Sequence, residues 1–174
     1  MPAAISTGLG EWRCDSIDIP KMEAGKVLVK TNLASICGSD LHITYMGWNV
    51  HEFPLPHGYP GHEGIGQIID PGDTTFKEGE LVLTVPNIWQ SKCFAGYQLI
   101  DPSFLLRVPQ GVPESHLLMA QQLGTVVFGT RKLPTLVGKT VAVIGQGSVG
   151  LFHDFMLRKP VSYTHLTLPT NREV

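Results

Sequence analysis

The chain has 174 residues, of which 43% are hydrophobic, and a formal net charge of −2 at pH 7. This composition predicts a globular protein of one domain, or of one domain and part of a second. The lack of a basic surplus argues against a nucleic-acid partner, and no stretch approaches the roughly 20 apolar residues that a membrane span needs. Three cysteines without a CxxC pair, and no secretion signal at the start, favour a cytoplasmic protein.

Short strands separated by turns dominate the first two thirds of the chain. Lys26 to Ile36 alternates apolar and polar residues as a half-buried strand does. The stretch from Cys37 to Gly61 is rich in Gly, Pro, His and aromatic residues and predicts a loop. Three further strands are predicted in the segments GIGQIID, ELVLTVP and FAGYQLID. This pattern predicts a compact β-barrel that extends to about Pro109.

A helical region follows the predicted barrel. Pro113 and Glu114 are typical of a first helical turn, and apolar residues follow at Leu117, Leu118, Met119 and Leu123. Because glycine weakens helices, Gly124 and Gly129 predict a broken helix that ends near Leu133.

The pattern changes after LVGK. TVAVI predicts a fully apolar strand, a glycine-rich turn follows, and VGLFHDFMLRK predicts an amphipathic helix. Pro160 ends that helix, and no buried strand is expected after it. The expected organisation is a first domain over residues 1–133, the start of a second over 134–159, and a tail over 160–174.

The glycine-rich turn has the G-x-G-x-x-G spacing, with Gly145, Gly147 and Gly150 between a strand and a helix. The first glycine permits a tight turn, the second admits a pyrophosphate close to the backbone, and the third lets helix and strand pack. The N–H groups at the helix start would bind the phosphates; the residues there are Gln146, Ser148 and Val149. The alternative is an ordinary glycine-rich turn without a ligand.

The end of the chain does not complete this motif. Dinucleotide sites have an acidic residue about 20 positions after the turn, where this chain reads SYTHLTLPTN without an acid. One interpretation is a C-terminal tail without fixed structure. The other is that residues 160–174 are not native, because SYTHLTLPTNREV resembles a translated sequencing adapter. The chain would then be a truncated gene product that is native only to about Lys159.

Two upstream segments carry residues that bind metals. ASICGSDLH supplies Cys37, Ser39, Asp40 and His42, and YPGHEGIGQ supplies His62 and Glu63. Thiolate and imidazole are ligands that zinc prefers, and a catalytic zinc site has three protein ligands and one open position. Taken singly, a cysteine or a histidine is more often structural. Taken together, and followed by a dinucleotide-type turn, these residues are harder to attribute to structural roles alone.

From about Gly25 to Lys159 the chain resembles the N-terminal half of a zinc-containing medium-chain dehydrogenase, the family of alcohol, polyol and threonine dehydrogenases. The motifs that carry the resemblance are CGSDLH, PGHEGIGQIIDPG, KEGELV, FAGY and VAVIGQGSVGL. The resemblance implies a mostly β fold, with a GroES-like barrel followed by the first βα unit of a Rossmann domain. It also implies zinc and NAD or NADP as cofactors, an alcohol or polyol as substrate, and a homo-oligomeric parent protein.

The resemblance also implies the ligands of the metal. Cys37 and His62 would bind zinc, Glu63 would lie beside the metal or bind it, and Asp40 would orient the site from behind. The family's third ligand is commonly Cys or Glu, but here Gln121 falls nearest that position, and an amide is a weaker ligand. Three alternatives remain: Glu63 binds directly, Gln121 binds through its carbonyl oxygen, or the site is weak. Gln121 could also be plain helix surface.

By the same resemblance, Ser39 would hydrogen-bond the reacting alcohol and His42 would pass its proton towards solvent. Many relatives carry four cysteines around a structural zinc, but between Val85 and Phe94 this chain offers only Cys93, so we expect one catalytic zinc and no structural one. We expect the 174-residue chain alone to be inactive. The alternatives are a non-catalytic binding module on the same fold, favoured by Gln121, and a zinc-free quinone-type reductase.

Overall fold

The protein is described from a computed structural model that covers residues 1–158 and the strand Tyr163–Thr167. It divides into two compact units, one spanning Met1–Leu118 and the other beginning at Met119. Each unit has its own arrangement of strands and helices.

The first unit is built mainly of antiparallel strands. Its seven strands are β1 (Pro2–Gly8), β2 (Glu11–Ser16), β3 (Val27–Ser35), β4 (Glu63–Asp70), β5 (Leu81–Thr84), β6 (Tyr97–Ile100) and β7 (Leu105–Arg107). Five of them form a sheet in the order β6-β3-β4-β5-β7, while β1 and β2 pair as a separate hairpin. The predicted mostly β fold is confirmed, and the four strands predicted from sequence correspond to β3, β4, β5 and β6.

The core of this unit follows from the alternation of side chains along its strands. Successive residues of a strand point to opposite faces, so every second apolar residue can enter one core. Val27 and Val29 on β3 are fully buried in this way. The buried cluster around them comprises Val27, Val29, Ile68, Val82, Ile100 and Leu105. β3 and β4 therefore lie at the centre of the unit and fix the positions of the residues at their ends.

The predicted loop from Cys37 to Gly61 contains a helix, so that prediction is wrong over its first part. Helix α1 spans Gly38–Met46. The side chain of Asp40 accepts a hydrogen bond from the Cys37 N–H at 2.8 Å, which satisfies a donor at the helix start. Gly47 ends the helix in the left-handed conformation, with φ +68°. These end signals define the helix although it is only nine residues long.

The helical region after the barrel is interrupted, but not at the glycines that the sequence suggested. Helix α2 spans Glu114–Leu118 and helix α3 spans Ala120–Arg131. Gly124 and Gly129 lie within α3, and the break falls at Met119. A side chain at either glycine would meet nothing within 4 Å, so these glycines have no packing role within the described residues.

Replacing Gly124 with alanine should raise the free energy of unfolding by about 1 kcal/mol, because alanine orders a helix at a lower entropy cost than glycine. Urea unfolding followed by circular dichroism would measure this change. Gly138→Ala is the matched control in the same unit: its site is equally open, but its φ of +72° disfavours any side chain. A gain from Gly138→Ala, or a loss from Gly124→Ala, would contradict the expectation.

The second unit contains a strand–helix–strand arrangement. It comprises β8 (Thr140–Ile144), α4 (Ser148–Leu157) and β9 (Tyr163–Thr167). β8 and β9 pair in parallel. A strand therefore follows Pro160, where the sequence predicted no buried strand; Tyr163–Thr167 contains Tyr and Thr, which favour strands. The apolar strand predicted at TVAVI corresponds to β8, in which Ile144 is 85% exposed.

The compact units divide at Leu118, earlier than the domain limit expected at residue 133. Helix α3 packs against α4, which explains why it belongs to the second unit. The expected domain limits stay a prediction, as does the non-native origin of the tail, most of which lies outside the described residues.

Within residues 1–158 and 163–167, no helix is long and apolar enough to cross a membrane.

Candidate metal centre

The metal-binding residues predicted from sequence meet at one end of the β3–β4 pair. Cys37 follows the last residue of β3 by two positions, His62 immediately precedes β4, and Glu63 is the first residue of β4. The two strands are antiparallel, and Ser35 lies directly opposite Glu63. The end of one strand therefore lies beside the start of the other, although 24 residues lie between Cys37 and His62 in the sequence.

Cys37, His62 and Glu63 form a compact ligand cluster. One ligand atom from each residue lies within 4.8 Å of the others. Cys37 is half-buried, while His62 and Glu63 are buried, with Glu63 only 1% exposed. A buried carboxylate is costly unless it is paired or binds a cation, so the burial of Glu63 beside a thiol and an imidazole is chemically consistent with a metal site.

Asp40 orients His62 from the opposite side of the ring. Its Oδ1 lies 3.0 Å from His62 Nδ1, and the Pro60 carbonyl oxygen lies 3.2 Å from the same nitrogen. Both neighbours accept hydrogen bonds, so Nδ1 carries the proton and donates. In the neutral ring this leaves Nε2 with its lone pair, the form in which histidine binds metals. The orienting role expected for Asp40 stays a prediction, and these contacts are the geometry on which it depends.

Contacts within the cluster shift the pKa values of two candidate ligands, His62 and Cys37. Burial alone would lower the pKa of His62, but hydrogen bonds with Asp40 and Cys37 outweigh it and raise that pKa to about 10. The hydrogen bond from His62 is the main reason why the pKa of Cys37 lies below its ordinary value. Cys37 is thereby shifted towards the thiolate, the form that binds metals.

This set of donors fits zinc. Sulfur, imidazole nitrogen and carboxylate oxygen are all established zinc donors, and three protein ligands leave one position open in a tetrahedral site. The three residues belong to one compact unit, so three candidate ligands lie together without Gln121. Gln121 lies in the second unit, half-buried on α3, and its role as a ligand stays a prediction.

Ser39 and His42 both lie on α1 and line one pocket. The Ser39 Oγ is 3.5 Å from His62 Nε2, which places the hydroxyl next to the metal cluster. Together with Met46 and Trp48, Ser39 and His42 surround a pocket of about 400 Å³. This volume is large enough for a small substrate. The structure therefore brings together the two residues expected to handle the proton of an alcohol.

The glycine turn of the second unit has the predicted local geometry. Gly145 has φ +102°, a left-handed conformation that favours glycine. A Cβ on Gly150 would lie 1.9 Å from the Gly145 carbonyl oxygen, so only glycine fits there. Gly147 precedes α4 and has nothing within 4 Å of a virtual Cβ. Of the residues at the start of α4, Ser148 and Val149 are exposed, and Gln146 donates to the Gly145 carbonyl at 3.2 Å.

Sequence reasoning missed Ser35. Its Oγ donates a hydrogen bond to Glu63 Oε2, across the first pair of the β3–β4 ladder. No motif marks Ser35; only the strand register would have identified it.

Cys93 is a free cysteine and belongs to no potential metal-binding group among the described residues. It is 2% exposed, and burial raises the pKa of its thiol to about 11. The Thr84 hydroxyl lies 3.3 Å from its sulfur. These properties describe a buried, unreactive thiol.

Alkylation of the native chain with iodoacetamide at pH 8 should therefore modify Cys14, which is exposed, and leave Cys93 unmodified. The reagent needs a thiolate and access to it, and Cys93 offers neither. Mass spectrometry of peptides after timed quenching would measure the difference. The same reaction in urea is the control, in which Cys93 should react fully. Equal rates for Cys14 and Cys93 in the native chain would show that the environment of Cys93 is misassigned.

Replacing Asp40 with asparagine should weaken zinc binding by about 10- to 100-fold, the usual effect of removing the partner that orients a metal-binding histidine. The amide keeps the shape of the side chain but removes its charge. Competition with a chromophoric chelator would measure the affinity. Asp15→Asn is the control, because Asp15 also contacts a histidine, His57, at 3.1 Å, away from the cluster. An unchanged affinity in Asp40→Asn would contradict the orienting role.

Comparisons with known proteins agree with this fold. Residues 23–110 match the model of the alcohol dehydrogenase GroES-like domain. The L-threonine 3-dehydrogenase of Bacillus licheniformis is 31% identical, over 78% of this chain and 46% of that protein. The chain thus spans about half the length of the curated relatives that it matches.

Two solved structures show the same fold. A short chain alcohol dehydrogenase from E. coli CFT073 in complex with NADH has a TM-score of 0.79 at 22% identity, covering 95% of this chain and 56% of that one. S. aureus TarJ in complex with NADPH has a TM-score of 0.73 at 16% identity, and the match covers 99% of this chain and 61% of that one.

The fold and the relatives define the class as that of the medium-chain, alcohol dehydrogenase-like oxidoreductases. The family model covers half of the chain, and the chain belongs to the alcohol dehydrogenase GroES-like domain family.

Proposed function

We propose that the chain is the zinc-binding catalytic part of an NAD(P)-dependent alcohol dehydrogenase. The observation that carries the proposal is the cluster of Cys37, His62 and Glu63 with Asp40 behind the histidine. In this proposal the protein holds one catalytic zinc and no structural zinc, because Cys93 is a single buried thiol. The substrate is an alcohol or a polyol, and the parent protein is a cytoplasmic homo-oligomer.

The residues of the cluster would hold the metal and the reacting alcohol together. When bound, zinc acts as a Lewis acid that lowers the pKa of an alcohol oxygen. Cys37, His62 and Glu63 would supply the ligands, and Asp40 would hold the Nδ1 proton of His62 so that Nε2 is left to bind the metal. When bound, the nicotinamide cofactor would supply the hydride acceptor for oxidation of the alcohol to a carbonyl product.

The remaining proton of the alcohol leaves through the side chains of α1. The Ser39 hydroxyl lies beside the cluster and can accept this proton while it donates its own. His42 lines the same pocket and is exposed, so it can release a proton to solvent. One proton leaves for each alcohol oxidised, which balances the reaction.

The cofactor would bind at the glycine turn of the second unit. Gly145 and Gly150 give the turn its tight form, and the backbone N–H groups of Gln146 to Val149 at the start of α4 would bind the pyrophosphate. Relatives of this fold were solved with NADH and with NADPH, and the proposal covers either cofactor.

Zinc and activity measurements together test this function. The purified chain should bind one zinc, released by a chelator, and should oxidise alcohols with NAD⁺ or NADP⁺ only weakly or not at all, because a dinucleotide site needs more βα units. Reading the gene through the codons for Met156 to Val174 would show whether the frame continues. A continued protein should oxidise alcohols in a zinc-dependent manner. A chain that binds no zinc, or a continued protein without dehydrogenase activity, would overturn the proposal.

A further inference from the structure

Ser35 and Glu63 are direct partners across the β3–β4 ladder. In an antiparallel pair, opposite residues place their side chains on the same face. Accordingly, the Ser35 Oγ donates a hydrogen bond to Glu63 Oε2. Ser35 is half-buried and Glu63 is 1% exposed, so this contact is shielded from solvent and is stronger than a surface contact.

Glu63 is the candidate for the third metal ligand, because the chain has no other suitable ligand where the family resemblance expects one. The segment Leu117 to Gly129, where the family resemblance expects a third ligand, contains no cysteine, histidine or carboxylate. Glu63 already lies with Cys37 and His62 in one group of ligand atoms. Its carboxylate can complete a three-ligand site only if the side chain stays in one orientation.

The geometry points to Ser35 as the positioning residue that holds the Glu63 carboxylate in place as the third zinc ligand. This inference rests on the proposed zinc function. The hydroxyl donates to one carboxylate oxygen, which limits rotation of the Glu63 side chain. Ser35 also precedes Cys37 by two residues, so a single strand end positions both the thiolate and the carboxylate.

Four variants test this role through zinc affinity, measured by chelator competition. Ser35→Ala should bind zinc about 10- to 100-fold more weakly than the unmodified chain, the usual effect of losing a partner of a metal ligand. Ser35→Thr keeps the hydroxyl and should restore most of the affinity. Ser103→Ala is the matched control, because its hydroxyl also contacts a carboxylate, Asp101 at 2.6 Å, on the exposed surface. The fourth variant, Glu63→Gln, is combined with Ser35→Ala in a double variant, which completes a double-mutant cycle.

The double-mutant cycle shows whether Ser35 affects zinc affinity through Glu63. If Ser35 acts through Glu63, the double variant Ser35→Ala/Glu63→Gln should bind zinc about as weakly as Glu63→Gln alone. The visible spectrum of the cobalt-loaded chain gives a second readout: Ser35→Ala should keep the thiolate-to-cobalt band of Cys37 but shift the ligand-field bands. If Ser35→Ala does not fold, Ser35→Thr and Ser35→Val can be compared, since they differ only in a hydroxyl and a methyl group.

The outcomes separate this inference from the proposed function. An unmodified chain that binds no zinc would overturn the zinc function itself. Zinc binding that is equal in the unmodified chain and in Ser35→Ala would overturn only the role of Ser35. Fully additive losses in the double variant would also overturn it, because Ser35 would then act independently of Glu63.

Discussion

Replacing Cys37 with serine is expected to weaken zinc binding by more than about 100-fold, beyond the range seen when only a partner of a ligand is lost. Serine has nearly the same size, but its hydroxyl does not ionise at neutral pH and does not replace a thiolate as a zinc ligand. The hydrogen bond from His62 lowers the pKa of Cys37, so the native residue is prepared to bind as the thiolate. Chelator competition at pH 7 would give both affinities.

Cys14→Ser is the matched control for this experiment. Cys14 is exposed on β2 and is absent from the metal cluster, so its loss should leave zinc affinity unchanged. Circular dichroism should show that both variants keep the fold. If Cys37→Ser and Cys14→Ser bind zinc equally well, the metal must lie elsewhere, and the assignment of the cluster is wrong.

Replacing Gly66 with alanine is expected to lower the free energy of unfolding of the first unit by about 3 kcal/mol. Gly66 lies on β4, and a Cβ there would be 2.3 Å from the Lys30 carbonyl oxygen and 2.8 Å from Val29 Cγ1. The first of these atoms belongs to the backbone of the neighbouring strand and cannot move alone. The added methyl group must push β3 and β4 apart at the centre of the sheet.

Urea unfolding followed by tryptophan fluorescence would measure this loss. Lys30→Ala is a suitable control, because the Lys30 side chain is exposed at the same place in the ladder and its loss should change stability by about 0.5 kcal/mol or less. Gly66→Ala should also weaken zinc binding, since the cluster depends on the spacing of these strands. A Gly66→Ala chain as stable as Lys30→Ala would show that the close approach is not maintained in solution.

The ligands of the candidate site could be predicted because their chemistry is local in sequence. Cys37 and the His62–Glu63 pair stand out by residue type, and the β-branched runs beside them predict strands. Asp40 could be placed behind the site only through the family resemblance. Its actual contacts, with His62 Nδ1 and the Cys37 N–H, require the helix α1, which the sequence pattern did not reveal.

Features that depend on distant partners could not be predicted in this way. The hairpin β1–β2 was missed because β2 is largely exposed and has no clear apolar alternation. The hydrogen bond of Ser35 depends on the register of two strands that are far apart in sequence. The break falls at Met119 and not at Gly124, so the low helix propensity of a single glycine was not enough to locate it.

The β3–β4 ladder contains two irregularities, and their effects cancel. Ile69 on β4 is skipped between the pairs Leu28–Asp70 and Val29–Ile68, and Asn32 on β3 is skipped between Thr31–Gly66 and Leu33–Ile65. Each extra residue shifts the ladder by one position, and together they restore the alignment before the Ser35–Glu63 pair. A one-residue slip turns every side chain of a strand to the opposite face. The number of residues between Leu33 and Cys37 must therefore stay fixed if Ser35 is to face Glu63. Natural variation by insertion or deletion should accordingly be confined to the two skipped positions and be absent from the three residues before the cysteine.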